Sequence, residues 1–104
     1  MSEVNIDYWP NGNVRSETYE VGGDYHREDG PALQIWYSSG IINTVGYYVN
    51  GELHRTDGPA ITWYDLNGDV DLDGFFLFGK RKTAIEVLGD TPTAMFHMLS
   101  RGTL

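Results

Sequence analysis

Apolar and polar side chains alternate along most of this chain, and the alternation restarts at a fixed interval. Within residues 31–37, Leu33, Ile35 and Tyr37 alternate with Ala32, Gln34 and Trp36, a period of two that predicts a β-strand with two usable faces. PAITWY at 59–64 has the same pattern. A tight turn follows each such strand, at PNG (10–12), SSG (38–40) and LNG (66–68), where glycine or asparagine can take positive φ. A second strand then runs through VRSETYEV, IINTVGYYV and VDLDGFFLF, and closes on a second hairpin turn at Val49-Asn50-Gly51 or its counterparts.

The interval is 28 residues. HREDGPA at 26–32 returns as HRTDGPA at 54–60, with one position changed. Gly12, Gly40 and Gly68 keep the same register, as do Gly23, Gly51 and Gly79, and the series Tyr19, Tyr47, Phe75 and Val21, Val49, Leu77. These spacings predict an all-β antiparallel meander of about six strands over residues 5–82, built from nearly three hairpin units. Val14, Ile42 and Val70 stand five positions before Tyr19, Tyr47 and Phe75, an odd spacing that puts each pair on opposite faces of a regular strand. A bulge or bend at Gly46 and Gly74, just before the second of each pair, would restore a common face.

After Gly79 the period changes. Thr83-Ala84-Ile85-Glu86 is a capping-box pattern, and Ala84, Ile85, Val87 and Leu88 make a short helix that ends at Gly89. Thr91-Pro92 starts a second helix carrying Ala94, Met95, Phe96, Met98 and Leu99, with Gly102 as its stop. Residues 83–101 therefore read as a helical cap on the last apolar face of one domain spanning 1–104. The other use of this methionine-bearing helix is a homodimer or partner contact.

Composition narrows the function classes. Fifteen acidic against seven basic residues give a formal charge of −8, which disfavours direct binding to nucleic-acid phosphates and membrane surfaces. The charge serves solubility, or it suits a partner protein with a basic surface, including another protein's nucleic-acid cleft. The absence of cysteine excludes disulfides and thiolate metal sites and fits a reducing cytoplasm. No apolar run is long enough to span a membrane, and MSEVNIDYWP lacks the basic start and apolar stretch of a signal peptide.

Candidate chemistry is sparse. His26, Arg27 and Asp29, and again His54, Arg55 and Asp57, offer acid–base groups and an anion holder. Their recurrence with Gly30-Pro31 and Gly58-Pro59 points to a structural turn in which arginine pairs with aspartate; a row of His and Arg used for binding is the other reading. Asp65, Asp69, Asp71 and Asp73 carry oxygen ligands at calcium-like spacing before Gly74, but Lys80 occupies the twelfth position counted from Asp69, where a calcium loop needs glutamate. An acidic turn and negatively striped strand edge is the alternative. No G-x-S-x-G, phosphate loop or H-E-x-x-H is present. Lys80-Arg81-Lys82 reads as a solvated linker, and His97 as a packing residue.

Through HREDGPA, HRTDGPA and YYVNG the chain resembles the HRxDGPA-type repeats of small proteins, many of them from bacteriophages. These are similar to MORN repeats and to toxin–antitoxin-associated proteins with WY-x-NG units. The resemblance covers about residues 6–82 and implies a β-meander used as a scaffold or binding surface, with no shared catalytic residue. With the acidity, it leads to an expected non-enzymatic module without a cofactor. Such a module would be a cytoplasmic phage-type accessory or anti-defence protein that occludes a host nuclease, polymerase or CRISPR effector. Trp36, Trp63, Asp65, Asp69, Asp71 and Asp73 are the expected contacts. A self-associating scaffold component and a calcium-binding module are the alternatives.

Overall fold

A computed structural model describes residues 2–100, with the side chains of Leu99 and Ser100 left aside. The expected contribution of Leu99, the stop at Gly102 and the cap boundary at Arg101 lie outside the described residues. The chain is all-β with a helical C-terminal part. Its strands are β1 (Ser2–Tyr8), β2 (Val14–Val21), β3 (Asp24–Tyr25), β4 (Leu33–Trp36), β5 (Ile42–Gly46), β6 (Tyr48–Val49), β7 (Glu52–Leu53), β8 (Ile61–Tyr64), β9 (Val70–Leu77) and β10 (Lys80–Lys82). Two helices follow, α1 (Ala84–Leu88) and α2 (Pro92–Ser100). The main sheet runs β1-β2-β4-β5-β8-β9-β10 with β3 also on β2, and β6-β7 is a separate ribbon. All pairings are antiparallel.

The strand number exceeds the expected six because each unit's second hairpin ends in short strands of its own, at β3, β6-β7 and β10. Lys80-Arg81-Lys82, expected as a linker, is one of them: Arg81 pairs with Phe76. The sheet also begins at Ser2 rather than residue 5.

The irregularity expected at Gly46 and Gly74 is present, and a second lies further along the same strands. The β4 and β8 ladders end at these glycines, whose carbonyls accept from the Ala32 and Ala60 N–H groups one residue out of register, while Asp7/Tyr8, Ile35/Trp36 and Trp63/Tyr64 face Ser16/Val14, Thr44/Ile42 and Leu72/Val70. The unpaired extra residue is thus Arg15, Asn43 or Asp71, directly after the first apolar residue of each odd-spaced pair. One extra residue there puts Val14 and Tyr19, and their counterparts, on a common face. Gly46 has a further task. A Cβ there would lie 2.8 Å from the Tyr48 ring, so the glycine admits a close side-chain crossing.

Two rows of turns tie the units together. At one end Trp9 Nε1–H donates to the Trp36 carbonyl at 3.0 Å, and Tyr37 Oη–H to the Tyr64 carbonyl at 2.7 Å. At the other end Asn50 and Phe78 sit at φ 50° and 48°, each followed by a positive-φ glycine, the geometry of a two-residue hairpin turn. The N–H of Asn50 donates to His26 Nδ1 at 2.9 Å and that of Phe78 to His54 Nδ1 at 3.0 Å. Each histidine of the heptapeptide therefore caps the next unit's turn. Between the rows, burial and secondarily the neighbouring Tyr25 hold the Tyr48 hydroxyl above its ordinary pKa.

The molecule is thin, with extents of 43 × 35 × 18 Å, and most strand residues are half-buried. A buried hydrophobic cluster lies at the C-terminal end, where Phe75, Ala84 and Ala94 are buried with Val87 and Leu88 against them. Fully burying a ring such as Phe75 contributes up to about 3 kcal/mol. The capping box at Thr83 is complete: Glu86 N–H donates to Thr83 Oγ1, and Thr83 N–H to Glu86 Oε1. That backbone N–H holds the Glu86 carboxyl below its ordinary value. Gly89 ends α1 at φ 77°, and Thr91 Oγ1 accepts from Ala94 N–H to start α2.

Candidate binding surface

The pairing registers place Glu17, Tyr19, Gln34, Val45, Thr62, Asp73 and Phe75 on one face of the sheet, with Val4, Ile6 and Tyr8 of β1. Tyr19, Tyr47 and Phe75 recur at the same place on this face, and each carries a cover. The Arg27 guanidinium lies 3.9 Å over the Tyr19 ring, and Arg55 lies 4.0 Å over Tyr47. The helices cover Phe75 instead, with His97 edge-on at 5.1 Å.

The heptapeptide is built for that cover. Arg27 Nε donates to Asp29 Oδ1 at 3.0 Å and Nη1 to the Pro31 carbonyl at 3.2 Å; Arg55 repeats both bonds to Asp57 and Pro59. The chain wraps around the guanidinium so closely that a Cβ on Gly30 or Gly58 would come within 3.0 or 2.8 Å of its Cζ. Only glycine fits there without displacing the arginine. Stacking a cation on a half-buried ring is worth about 1 kcal/mol. His26, Arg27, Asp29, Gly30 and Pro31 thus form a structural turn, as do His54, Arg55, Asp57, Gly58 and Pro59.

This arrangement sorts charge by sign. The arginine side chains are 26% exposed, whereas Glu28, Asp29 and Asp57 are 83%, 86% and 82% exposed. Between the turns run two open grooves of about 660 and 550 Å³. Tyr19, Val21 and Val4 line the first; Tyr47 and Val49 line the second. The turn holding Glu28 and Asp29 stands between them and borders both.

The residues expected as contacts do not form one patch. Trp36 and Trp63 are half-buried and point to opposite faces, since Trp36 follows Ile35 in β4 while Ile35, Thr44 and Trp63 share a row. Asp65 Oδ1 accepts from the N–H groups of Asn67 and Asp69, so this carboxylate closes its own turn. Asp69 and Asp71 are exposed. Asp73 is a correction: it is 0% exposed, with Oδ2 3.2 Å from His97 Nδ1. It belongs to the cap, because the helices cover the face to which its strand position points. His97, read from the sequence as a packing residue, is its partner. Among the described residues no three acidic or histidine side chains gather as a metal-ligand set.

No family model, curated protein or solved structure matches this chain. Among the described residues, no helix is long and apolar enough to cross a membrane.

Reading the sequence missed the acidic rims and the apolar row on β1. Both left a signal. Val4, Ile6 and Tyr8 alternate with Glu3, Asn5 and Asp7, a six-residue period-two pattern. Glu28, at the heptapeptide's one variable position, is where a functional side chain could differ between otherwise structural turns.

Proposed function

We propose that this chain is a non-enzymatic protein-binding module for a partner with a basic surface. The observation that carries the reading is the inward turn of Arg27 and Arg55 over tyrosine rings while Glu28, Asp29 and Asp57 remain in solvent. The outward charge of these turns is therefore more negative than their composition. The grooves, lined by Val4, Val21 and Val49 beside the arginine-covered tyrosines and rimmed by Glu28, Asp29 and Asp57, suit lysine and arginine side chains whose methylenes lie on the valines while their charged ends reach a carboxylate. His26 and His54 accept backbone N–H groups, and both arginines are held by their own turns, so the recurring His-Arg-Asp set serves architecture rather than turnover.

The resemblance to HRxDGPA-type repeats makes the sharpest version a phage-type accessory or anti-defence protein in the host cytoplasm. It would occlude the basic cleft of a nuclease, polymerase or CRISPR effector and would require no cofactor. The test is affinity capture from host lysate with wild type and the E28K/D29K/D57K variant, followed by identification of the retained proteins. Wild type is expected to hold a protein with a basic cleft that the variant releases. Equal retention by both, or none by either, overturns the reading. A second reading, self-association, is favoured by the exposure of Met95, Phe96 and Met98 on α2; a monomer at high concentration in sedimentation dismisses it.

A further inference from the structure

We propose that β1 is a docking edge that takes up an extended partner segment in which apolar and basic residues alternate. The inference rests on the reading above and names the partner's chemistry. β1 ends the strand order, so it has β2 on one side and no strand on the other among the described residues. Strand geometry turns the N–H and C=O of alternate residues toward that open side, where an incoming strand can pair with them. The Tyr8 N–H is already held by Asp7 Oδ1 at 3.0 Å, which sets the pairing stretch at Ser2–Ile6.

The two faces of β1 state what the incoming strand must carry. On the grooved face Val4, Ile6 and Tyr8 are 51%, 47% and 55% exposed, an apolar row that a neighbouring strand's apolar side chains would cover. On the other face stand Glu3, Asn5 and Asp7, and Glu3 sits directly across from Glu20 of β2. Like charges in facing positions repel, and a lysine or arginine added beside Glu3 relieves that repulsion. Asn5 Nδ2 and Thr18 Oγ1 already donate to Glu20, which orients its carboxylate within the same row.

The contrast with the other end supports an edge left open for use. There β10 exposes Lys80 and Arg81, and a bulge interrupts the pairing of β9 at Asp71. Charges and bulges of that kind discourage strand addition. β1 has seven residues without lysine, arginine or proline, and its only bulge lies across from its last residue. A second copy of the chain is a poor occupant. Antiparallel self-pairing centred on Asn5 would set Glu3 against Asp7, acid against acid.

The test is an amide NMR titration of the full chain with a blocked synthetic heptapeptide, Lys-Val-Lys-Val-Lys-Val-Lys, beside two controls. One control replaces the central valine and its neighbours with proline, and the other carries glutamate for lysine. Saturable shifts in Ser2–Tyr8 and their strand partners on β2 are expected, with neither control producing them. The E3Q/D7N variant should bind the lysine peptide roughly tenfold more weakly while keeping the wild-type spectrum elsewhere. Shifts confined to the rims at Glu28, Asp29 and Asp57 would overturn the docking edge and leave the binding-module reading standing. No shifts anywhere would count against both. Equal binding of the proline peptide, or concentration-dependent pairing of β1 without peptide, also overturns the proposal.

Discussion

The two ends of this sheet use the same strand pattern to opposite effect. At the C-terminal end an aromatic ring, Phe75, lies beneath two helices beside a buried Asp73–His97 pair. Toward the N-terminal end the equivalent ring, Tyr19, is covered by one arginine, and the first strand leaves Val4, Ile6 and Tyr8 in solvent. A hairpin cannot bury both faces alone, so each unit borrows a cover. An arginine turn is narrow and leaves grooves beside it; a helical pair is broad and fills them. Buried apolar side chains gather where the cover is broad, and exposed ones where it is narrow.

That contrast can be broken at graded points along the sheet. Asp73→Ala should have the largest effect, a loss of about 3 kcal/mol, because it strips a hydrogen-bond partner from His97 in a closed interior. The urea midpoint measures it, and the loss should shrink when His97→Ala is added to the same chain. Gly58→Ala comes next, at about 1–2 kcal/mol: its Cβ falls 2.8 Å from Arg55 Cζ and must push the guanidinium off the Tyr47 ring. Arg55→Ala should cost about 1 kcal/mol, since it uncovers Tyr47 and frees the exposed Asp57 without unpacking the cap. Gly58→Ala should add little once Arg55 is gone, so the double variant checks that both act on one contact. Ile6→Thr should change stability by no more than about 0.5 kcal/mol, because the side chain is already half in solvent. If Ile6→Thr instead cost as much as Asp73→Ala, the ends would not differ as described.

Much of the fold was legible in the sequence for reasons that remain local. Turns need particular backbone angles, and Asn50-Gly51, Gly12, Gly40 and Gly68 met that need at fixed spacing. The capping box at Thr83–Glu86 and the Thr91-Pro92 start are likewise decided within a few residues. What depends on neighbours was less legible. The odd spacing between Ile42 and Tyr47 required an extra residue, but only the pairing with Trp36 shows one at Asn43 in addition to the irregular bond at Gly46. Asp73 looked like one more exposed aspartate in an acidic run; it is buried because His97, 24 residues later, folds onto it. The heptapeptide was read as a turn in which arginine meets aspartate, and it is one. That the same arginine also covers a tyrosine eight residues earlier, and so sets the outward charge of the grooved face, follows only from the folded geometry.

The most direct test of a packed C-terminal end and an open N-terminal end is native-state hydrogen exchange followed amide by amide. The slowest exchange is expected in Ile61–Tyr64 and Leu72–Gly74, where β8 and β9 pair beside the helical cap, with protection falling steadily toward β1. Uniform protection across the sheet, or the slowest amides in β1 and β2, would contradict the division of labour between the two ends.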